Sequence, residues 1–423
     1  MRNGYDVDVT VYCITYNHGD YIADMLDGVI KQKANLNIEV CIFDDCSTDN
    51  TVKIINEYKM KNAIKIHLYQ PPYNLNNSPE RVKYVREYHD KYVKGKYIAI
   101  CEGDDYWIDE NKLQIQFDYM EKHPECYLCG SASRWMDYAT GTMYPYHPID
   151  SDRYLTEEEV ILRENGSMTT ASFFMRREIL FRDERFPSAD VGDLILQLYS
   201  LTKGKIYYMD REMCVYRFLH PGSWKKSYKS DFSFRLSHAA TIGVFWERFE
   251  DYTAGRYHSY VKSAWVRYLN EVAHYDEISF EEYEQICLQM LDKQTDEYKR
   301  EKVLEIMSVH NAYFGQEATF SVDEKKIMAG NKVIIYGAGD YSYHIERLLK
   351  QSGISWDGYM VSDLTKNISS KSLPVWEPDN YAFDYDKTVI IMGLSQLFED
   401  DVLTKLEKYK PAKILKPIWF CWE

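Results

Sequence analysis

The chain has 423 residues, 45% of them hydrophobic, which predicts two or three domains with enough apolar side chains to fill their cores. Its 66 acidic and 51 basic residues give a net charge of −15, which argues against nucleic acid or another polyanion as a partner. The N-terminus lacks a charged-then-apolar leader and no apolar stretch approaches the roughly 18 residues of a membrane span, so we expect a cytosolic protein.

The first segment alternates strand-like and helical stretches. The strands are predicted at residues 7–15, 38–43, 64–69 and 96–100, and the helices at residues 21–33, 51–61 and 78–94. This order favours a parallel, doubly wound α/β sheet with right-handed crossovers.

Polar side chains follow the first two predicted strands. Thr15 ends the first strand, and Asp45 and Asp49 follow the second. The carboxyl ends of parallel strands meet at the edge of the sheet where ligands bind. A carboxylate there can accept from a nucleobase NH or from ribose hydroxyls, and we favour this role for Asp45. Asp49 is better explained as a cap of the helix that starts near Asn50.

Three carboxylates, Glu102, Asp104 and Asp105, directly follow the strand at 96–100. Hard oxygen ligands at such an edge suit Mg²⁺ or Mn²⁺ carrying a substrate diphosphate. Read alone, the same residues are equally well explained as a solvated acidic turn.

The remaining pattern predicts further elements and a change of character. A helix at 112–122, strands at 127–135 and 168–175, a helix at 193–202 and a strand at 211–218 come first. A long helical stretch follows at 232–310. A second, smaller α/β unit then starts with a strand at 332–336 and continues with a helix at 341–351 and strands at 358–361 and 388–392.

Residues 7–225 resemble glycosyltransferase family 2, whose members are inverting enzymes with a GT-A fold. The motifs that carry the resemblance are Thr15-Tyr16-Asn17, Phe43-Asp44-Asp45-Cys46-Ser47-Thr48-Asp49 and the stretch 95–107, which contains Glu102-Gly103-Asp104-Asp105. The resemblance implies a nucleotide-sugar donor, most commonly a UDP-sugar in this family, and Mn²⁺ or Mg²⁺ as cofactor.

The resemblance also implies roles for single residues. Thr15, Tyr16, Asn17 and Asp45 would contact the nucleotide, and the acidic turn would be the DxD-type element that binds metal and diphosphate. Asp104 and Asp105 are then the expected metal ligands, with Asp104 also touching the donor. Glu102 stands where an Asp is common, so its contact with the nucleotide-sugar is the least secure.

Downstream, Val191-Gly192-Asp193-Leu194 resembles the family's ED-type motif, with Gly192 in place of the Glu. This implies that Asp193 is the general base, whereas the plainer explanation is an acidic residue at a helix N-terminus. The stretch 216–224 resembles the loop in which a His completes the metal shell, which suggests His220 as a metal ligand. A structural histidine is the alternative.

Two arginines are candidates for the donor's diphosphate. Arg217 precedes His220, and Arg81 lies in the segment before the metal-binding strand. Each has a plain alternative, since Arg217 can instead anchor a carboxylate and Arg81 can simply be exposed at a helix start.

These expectations combine into one reaction. Asp193 takes the proton of an acceptor hydroxyl, the oxygen attacks the anomeric carbon, and the configuration inverts. The acceptor class is a glycan or a lipid-linked saccharide in surface polysaccharide biosynthesis. Peripheral association with the inner membrane face and homo-oligomer formation stay open. The alternatives are a non-catalytic nucleotide-sugar-binding scaffold and a sugar nucleotidyltransferase, although the latter usually opens with a Gly-rich, Arg/Lys-bearing loop.

We predict a GT-A domain at 1–228, a helical linker at 229–328 and a small Rossmann-like domain at 329–423. The last contains Gly337-Ala338-Gly339, but Ser342 stands at the third glycine position of a dinucleotide motif. Only Asp357 and Asp363 offer themselves as ribose partners. We therefore expect a packing or assembly role rather than NAD binding.

Overall fold

The computed structural model describes residues 5–415, except 77, 79, 164–167, 219, 274–277, 316–319, 339, 363, 365–370, 394 and 395. The chain divides into two compact units, Met1–Tyr268 and Leu269–Glu423. The three-part division at 228 and 328 stays a prediction.

The first unit alternates strands and helices. Its strands are β1 (Val9–Thr15), β2 (Ile38–Asp44), β3 (Lys65–Tyr69), β4 (Tyr97–Ile100), β5 (Tyr106–Trp107), β6 (Cys126–Asp137), β7 (Met143–Tyr146), β8 (Arg153–Tyr154), β9 (Phe174–Arg176) and β10 (Lys205–Phe218). Its helices are α1 (Ile22–Ile30), α2 (Thr51–Lys61), α3 (Arg81–Tyr92), α4 (Lys112–Lys122), α5 (Glu157–Leu162), α6 (Arg177–Leu180), α7 (Gly192–Lys203), α8 (Trp224–Ser230), α9 (Phe232–Tyr252) and α10 (His258–Ala273), which runs across the boundary between the units.

The ten strands form one sheet in the order β3-β2-β1-β4-β9-β6-β10-β5, with β7 beside β6 and β8 beside β10. The first four strands are parallel, as the alternation predicted. Beyond these strands the sheet is mixed, because β9 returns antiparallel between β4 and β6. The mixed half of the sheet therefore begins where the acidic turn leaves β4.

Both faces of this sheet are covered, which explains the apolar runs of its central strands. In β1, Val11 and Cys13 pack on the face that carries α1, while Tyr12 packs on the other face with Tyr88 of α3. The predicted α/β class with a doubly wound parallel part is confirmed. The polar ends of β1, β2 and β4 are left free to form a site at one edge.

Some predicted boundaries do not hold. Residues 168–175 were expected as a strand, but Thr170–Ser172 is a single 3-10 turn and only the last residues join β9. The predicted strand at 211–218 starts earlier, at Lys205, and the long helical stretch is broken after α9 by a turn with positive φ at Ala254 and Gly255. No helix within the described ranges is long and apolar enough to cross a membrane.

The second unit contains a five-stranded parallel sheet in the order β13-β12-β11-β14-β15. The strands are β11 (Lys332–Tyr336), β12 (Gly358–Met360), β13 (Val375–Trp376), β14 (Thr388–Met392) and β15 (Lys413–Leu415), and the helices are α11 (Phe280–Lys293), α12 (Glu297–Gly315), α13 (Val322–Ala329), α14 (Asp340–Gln351) and α15 (Gln396–Glu407). The predicted second α/β unit is confirmed.

The glycine turn after β11 is explained by backbone packing. Gly337 has φ 116°, which favours glycine, and a Cβ on Gly393 would lie 3.3 Å from Cα of Ser342 at the start of α14. The candidate ribose partner Asp357 is occupied, since its carboxylate accepts from Val333 N at 2.9 Å and pairs with Lys332. Gly339 and Asp363 lie outside the described residues.

Candidate active site

The predicted meeting of three strand ends is present. Asp45 N donates to Thr15 O at 2.9 Å, and Gly103 N donates to Ile14 O at 3.1 Å. These contacts join the segments after β1, β2 and β4 at one edge of the sheet, so the predicted nucleotide-binding and metal-binding residues belong to one site.

The nucleotide side of this site is partly pre-organised. Asp45 is buried, and its Oδ1 accepts from Leu75 N at 2.7 Å, so one carboxylate oxygen already fixes the loop before α3. Thr15 Oγ1 is buried without a hydrogen-bond partner among the described residues. Tyr16 is exposed, and Arg81 lies exposed at the start of α3. These side chains leave polar groups available for a ligand.

Asn17 and Asp49 brace two loops against each other. Asn17 has φ 53°, and its Oδ1 accepts from Thr48 N at 2.8 Å. Asp49 accepts from Gly19 N and, at 2.9 Å, from Thr51 N in the first turn of α2. Asp49 thus satisfies the first NH of α2, although the N-cap position itself is Asn50, whose side chain makes no capping bond. The contact between Asn17 and Thr48 shows a structural use of Asn17, which the sequence suggested as a nucleotide contact.

Asp104 and His220 form the centre of the acidic turn. His220 is almost fully buried, its Nε2 lies 2.8 Å from Asp104 Oδ2, and its Nδ1 lies 2.9 Å from Pro221 O. Because a carbonyl oxygen only accepts, Nδ1 must carry the proton of this contact. Nε2 is then the ring nitrogen that faces the Asp104 carboxyl group. Burial opposes ionisation of Asp104, but the hydrogen bond from His220 lowers the pKa of its carboxyl.

Asp105 points inward, where Arg217 is also buried. Asp105 Oδ1 accepts from Arg217 N at 3.0 Å, while its Oδ2 is buried without a partner among the described residues. Burial, with Asp104 and Glu102 nearby, raises the pKa of Asp105 well above its usual value. The Arg217 guanidinium bonds Asp24 and the Asp104 carbonyl and lies 4.6 Å from the Tyr106 ring centroid. Arg217 therefore holds the acidic turn in place.

Asp193 lies in the first turn of α7 and is paired with Arg163, whose Nη2 is 2.6 Å from Asp193 Oδ2. Burial, then Asp104 and Asp193, raise the pKa of Glu102 to about 8. After burial, the four carboxylates of Glu102, Asp104, Asp105 and Asp193 are what raise the pKa of Tyr216. The predicted base therefore lies in the electrostatic range of the acidic turn, although the two are far apart in sequence.

A divalent ion fits the chemistry of these donors. In the described part of the chain, no three or more His, Cys, Asp or Glu side chains come together as a group that could hold a metal ion by themselves. The carboxylate of Asp104, the imidazole of His220 and the unpartnered Asp105 Oδ2 are nevertheless suitable donors in an otherwise buried place. They suit an ion that takes the rest of its shell from phosphates and water.

Two residues near this site were not anticipated from the sequence. No sequence pattern points to Arg163, the partner of Asp193, because it follows a short helix and lies 30 residues away along the chain. His18 Nδ1 lies 3.9 Å from Asp104 Oδ1. The sequence could have suggested His18, because this histidine directly follows Thr15-Tyr16-Asn17, the polar residues at the end of β1.

Residues 10–183 match the sequence model of the family described as Glycosyl transferase family 2. This agrees with the resemblance over residues 7–225 and covers β1 to α6, including the acidic turn. Asp193 and His220 lie beyond the matched range.

Three proteins resemble larger or smaller parts of the chain. An uncharacterized protein of Mycobacterium tuberculosis is 31% identical over 222 residues, which are 52% of this chain and 61% of that protein. The Escherichia coli UDP-Glc:alpha-D-GlcNAc-diphosphoundecaprenol beta-1,3-glucosyltransferase WfaP is 34% identical over 113 residues, 27% of this chain and 41% of that protein. The alignments thus span less than two thirds of either relative. The crystal structure of S. aureus TarS 1-349 in complex with UDP aligns with a TM-score of 0.47 and 16% identity over 75% of this chain and 95% of that chain.

Proposed function

We propose, from the premise that residues 10–183 form a glycosyltransferase family 2 domain, that this protein is a metal-dependent inverting glycosyltransferase. It would move a sugar from a nucleotide-diphosphate donor, a UDP-sugar in the first instance, to a hydroxyl group of a glycan or lipid-linked acceptor. The observation that carries the proposal is the placement of Glu102, Asp104 and Asp105 where the ends of β1, β2 and β4 meet. There Asp104 Oδ2 lies 2.8 Å from His220 Nε2, and Asp105 Oδ2 is buried without a partner among the described residues. Such a concentration of carboxylates is costly in a buried place and is typical of functional sites.

The donor would lie along the edge formed by the ends of β1, β2 and β4. Asp45 keeps one carboxylate oxygen for the nucleoside, because only Oδ1 is taken by Leu75 N. Thr15 Oγ1 offers an unused hydroxyl beside it. Tyr16 and Arg81 are exposed at the same edge and suit contacts with the base and the diphosphate.

The diphosphate would lie at the acidic turn. Asp104 and His220 would hold a divalent ion, with Asp105 behind them, and this ion would neutralise the charge of the departing nucleoside diphosphate. Arg217 supports this arrangement from the protein side, because its backbone NH and guanidinium hold Asp105 and the Asp104 carbonyl. We assign Arg217 to positioning as well as to the charge balance around the phosphates.

Asp193 would be the general base. Arg163 occupies Oδ2, which leaves Oδ1 to accept the proton of an acceptor hydroxyl. The contact with Arg163 also fixes the orientation of the Asp193 carboxyl group at the start of α7. The oxygen freed of its proton attacks the anomeric carbon, the bond to the diphosphate breaks, and the configuration inverts.

The names of two relatives bear on the acceptor. WfaP is named for transfer to a diphosphoundecaprenol-linked GlcNAc, and a further relative, Bacillus subtilis TuaG, is named as a putative teichuronic acid biosynthesis glycosyltransferase. These names support an acceptor in the synthesis of surface polysaccharides.

The test is donor breakdown by the purified full chain. With Mn²⁺ and a panel of nucleotide-sugars, we expect nucleoside diphosphate release, because water can replace the acceptor at Asp193. Asp193→Asn should lower that rate by about 10²–10⁴-fold without weakening nucleotide binding. Asp190→Asn is a matched control on the same loop, since Asp190 bonds His238 instead.

The outcomes separate the competing functions. Nucleotide-sugar binding without any breakdown, unchanged by Asp193→Asn, would favour the non-catalytic scaffold. Release of pyrophosphate from a nucleoside triphosphate and a sugar phosphate would identify a nucleotidyltransferase. No binding of any nucleotide-sugar would refute the proposal.

A further inference from the structure

We propose that His18 is a second imidazole ligand of the divalent ion at Asp104, placed at the other carboxylate oxygen from His220. This inference rests on the proposed function, because the ion would arrive with the donor's diphosphate.

The spacing of the donor atoms suits an ion. His220 Nε2 lies 2.8 Å from Asp104 Oδ2, whereas His18 Nδ1 lies 3.9 Å from Asp104 Oδ1. The longer distance is outside hydrogen-bond range. It is within the roughly 4 Å spanned by two metal–ligand bonds of about 2.1 Å each. The two imidazole rings are 6.1 Å apart, so both can face one carboxylate.

His18 has an unused ring nitrogen. Its Nδ1 is buried and has no hydrogen-bond partner among the described residues. A buried polar atom left without a partner costs about 1–3 kcal/mol, and proteins keep few of them. The nearest acidic oxygen is that of Asp104, which also contacts the other imidazole. An ion between them would satisfy this nitrogen.

The backbone holds His18 in this place from both sides. Asn17 N donates to Ser47 Oγ and Gly19 N donates to Asp49 Oδ2, each at 2.8 Å. Asn17 has φ 53°, a left-handed conformation that an Asn tolerates better than most residues. His18 O accepts the first backbone bonds of the following turn, from Tyr21 N and Ile22 N. The imidazole therefore lies on a loop that is fixed before any ligand binds.

The acidic turn is built close to His18. A Cβ on Gly103 would lie 2.7 Å from His18 Nδ1 and 2.6 Å from Thr15 Oγ1. Only a glycine lets the turn pass this near to both side chains. The unused nitrogen, the fixed loop and this close approach are separate observations that place His18 within the acidic turn's site.

Two imidazoles change which ion the site prefers. Mg²⁺ demands oxygen ligands, whereas the affinity of a mixed nitrogen and oxygen site rises along the first row from Mn²⁺ to Co²⁺. With His18 and His220 both coordinating, we expect the protein to bind Mn²⁺ or Co²⁺ in preference to Mg²⁺, and His18→Ala to reduce that preference.

The test counts nitrogen ligands on Mn²⁺. The full chain is incubated with Mn²⁺ and UDP, or GDP in a parallel sample, and pulsed electron paramagnetic resonance records the imidazole nitrogen couplings. We expect two in the wild type and one each in His18→Ala and His220→Ala. The Mn²⁺ dissociation constant should rise about 10–100-fold in His18→Ala. His258→Asn is the control, because His258 lies on the surface of α10 and pairs with Glu250.

Each outcome decides the question. One nitrogen in the wild type, or an unchanged signal and affinity in His18→Ala, would overturn the role of His18 while leaving the proposed function intact. No Mn²⁺ binding with either nucleotide would overturn both. Melting curves without metal check that the variants fold, and His18→Asn repeats the test with a side chain closer in size.

Discussion

Replacing Gly103 by alanine tests the geometry of the acidic turn directly. The added Cβ would lie 2.6 Å from Thr15 Oγ1, 2.8 Å from Thr15 Cβ and 2.7 Å from His18 Nδ1. Thr15 is a buried residue of β1, and the loop of His18 is hydrogen-bonded on both sides, so neither can move away cheaply. The acidic turn must shift instead, away from the ends of β1 and β2.

The expected cost follows from this contact. Overpacking of a well-packed place costs about 1–3 kcal/mol. For a unit of this size each kcal/mol corresponds to roughly 2–4 °C in melting temperature, so Gly103→Ala should melt about 2–12 °C below the wild type. The displaced turn should also bind Mn²⁺ and nucleotide more weakly, because Asp104 moves relative to His220 and Asp45.

The assay is calorimetric melting together with titration of Mn²⁺ in the presence of UDP. Gly192→Ala is the matched control, since a Cβ at Gly192 meets nothing within 4 Å and this residue starts α7. It should be neutral or more stable by up to about 1 kcal/mol, given the higher helix propensity of alanine. A Gly103→Ala protein that melts and binds like the wild type would refute the packing derived for this turn.

Three further predictions concern stability. Burial lowers the pKa of Lys112 to about 8, so the native protein binds fewer protons than the unfolded chain between about pH 8 and 10, and Lys112 opposes folding less as the pH rises. We therefore expect the unfolding free energy of wild type to rise by about 3 kcal/mol relative to that of Lys112→Met across that range. In the second unit, Lys371→Met leaves Glu346 buried without its ammonium and should cost about 3–5 kcal/mol by denaturant unfolding, whereas adding Glu346→Leu should recover most of it. Thr156→Ala removes the capping box of α5 and should cost about 1 kcal/mol by the same measurement.

Each of these has its own control. Lys122→Met changes an exposed lysine of the same helix as Lys112 and should show no such pH dependence. Parallel pH curves for Lys112→Met and wild type would contradict the first expectation. A double variant of Lys371 and Glu346 no more stable than Lys371→Met would contradict the second, and Thr156→Ser, which keeps the hydroxyl, tests the third.

The parallel half of the sheet was predictable because its signals are local. Strands β1 to β4 are short apolar runs separated by helical periodicity, and such alternation requires a parallel sheet with polar strand ends on one edge. That rule placed Thr15, Asp45 and Asp104 near one another before any contact was known.

The mixed half was not predictable in the same way. The residues before β9 have an apolar run that suits a strand, but Thr170–Ser172 forms a turn whose Ser172 carbonyl accepts from Gln116 at 2.9 Å and also binds Lys112. This turn depends on side chains about 60 positions away. The short strands β7 and β8 likewise exist only because β6 and β10 lie beside them.

The partners of the two central carboxylates explain what sequence patterns left out. Asp104 is paired with His220 and Asp193 with Arg163, so each acidic group meets a basic one from a distant segment. Neither contact uses both oxygens of its carboxylate. Asp104 Oδ1 faces His18, and Asp193 Oδ1 is the oxygen proposed to serve an acceptor. A partly buried carboxylate with one oxygen held by a basic side chain is fixed in orientation, which is the condition that the proposed ion binding and the proposed proton transfer share.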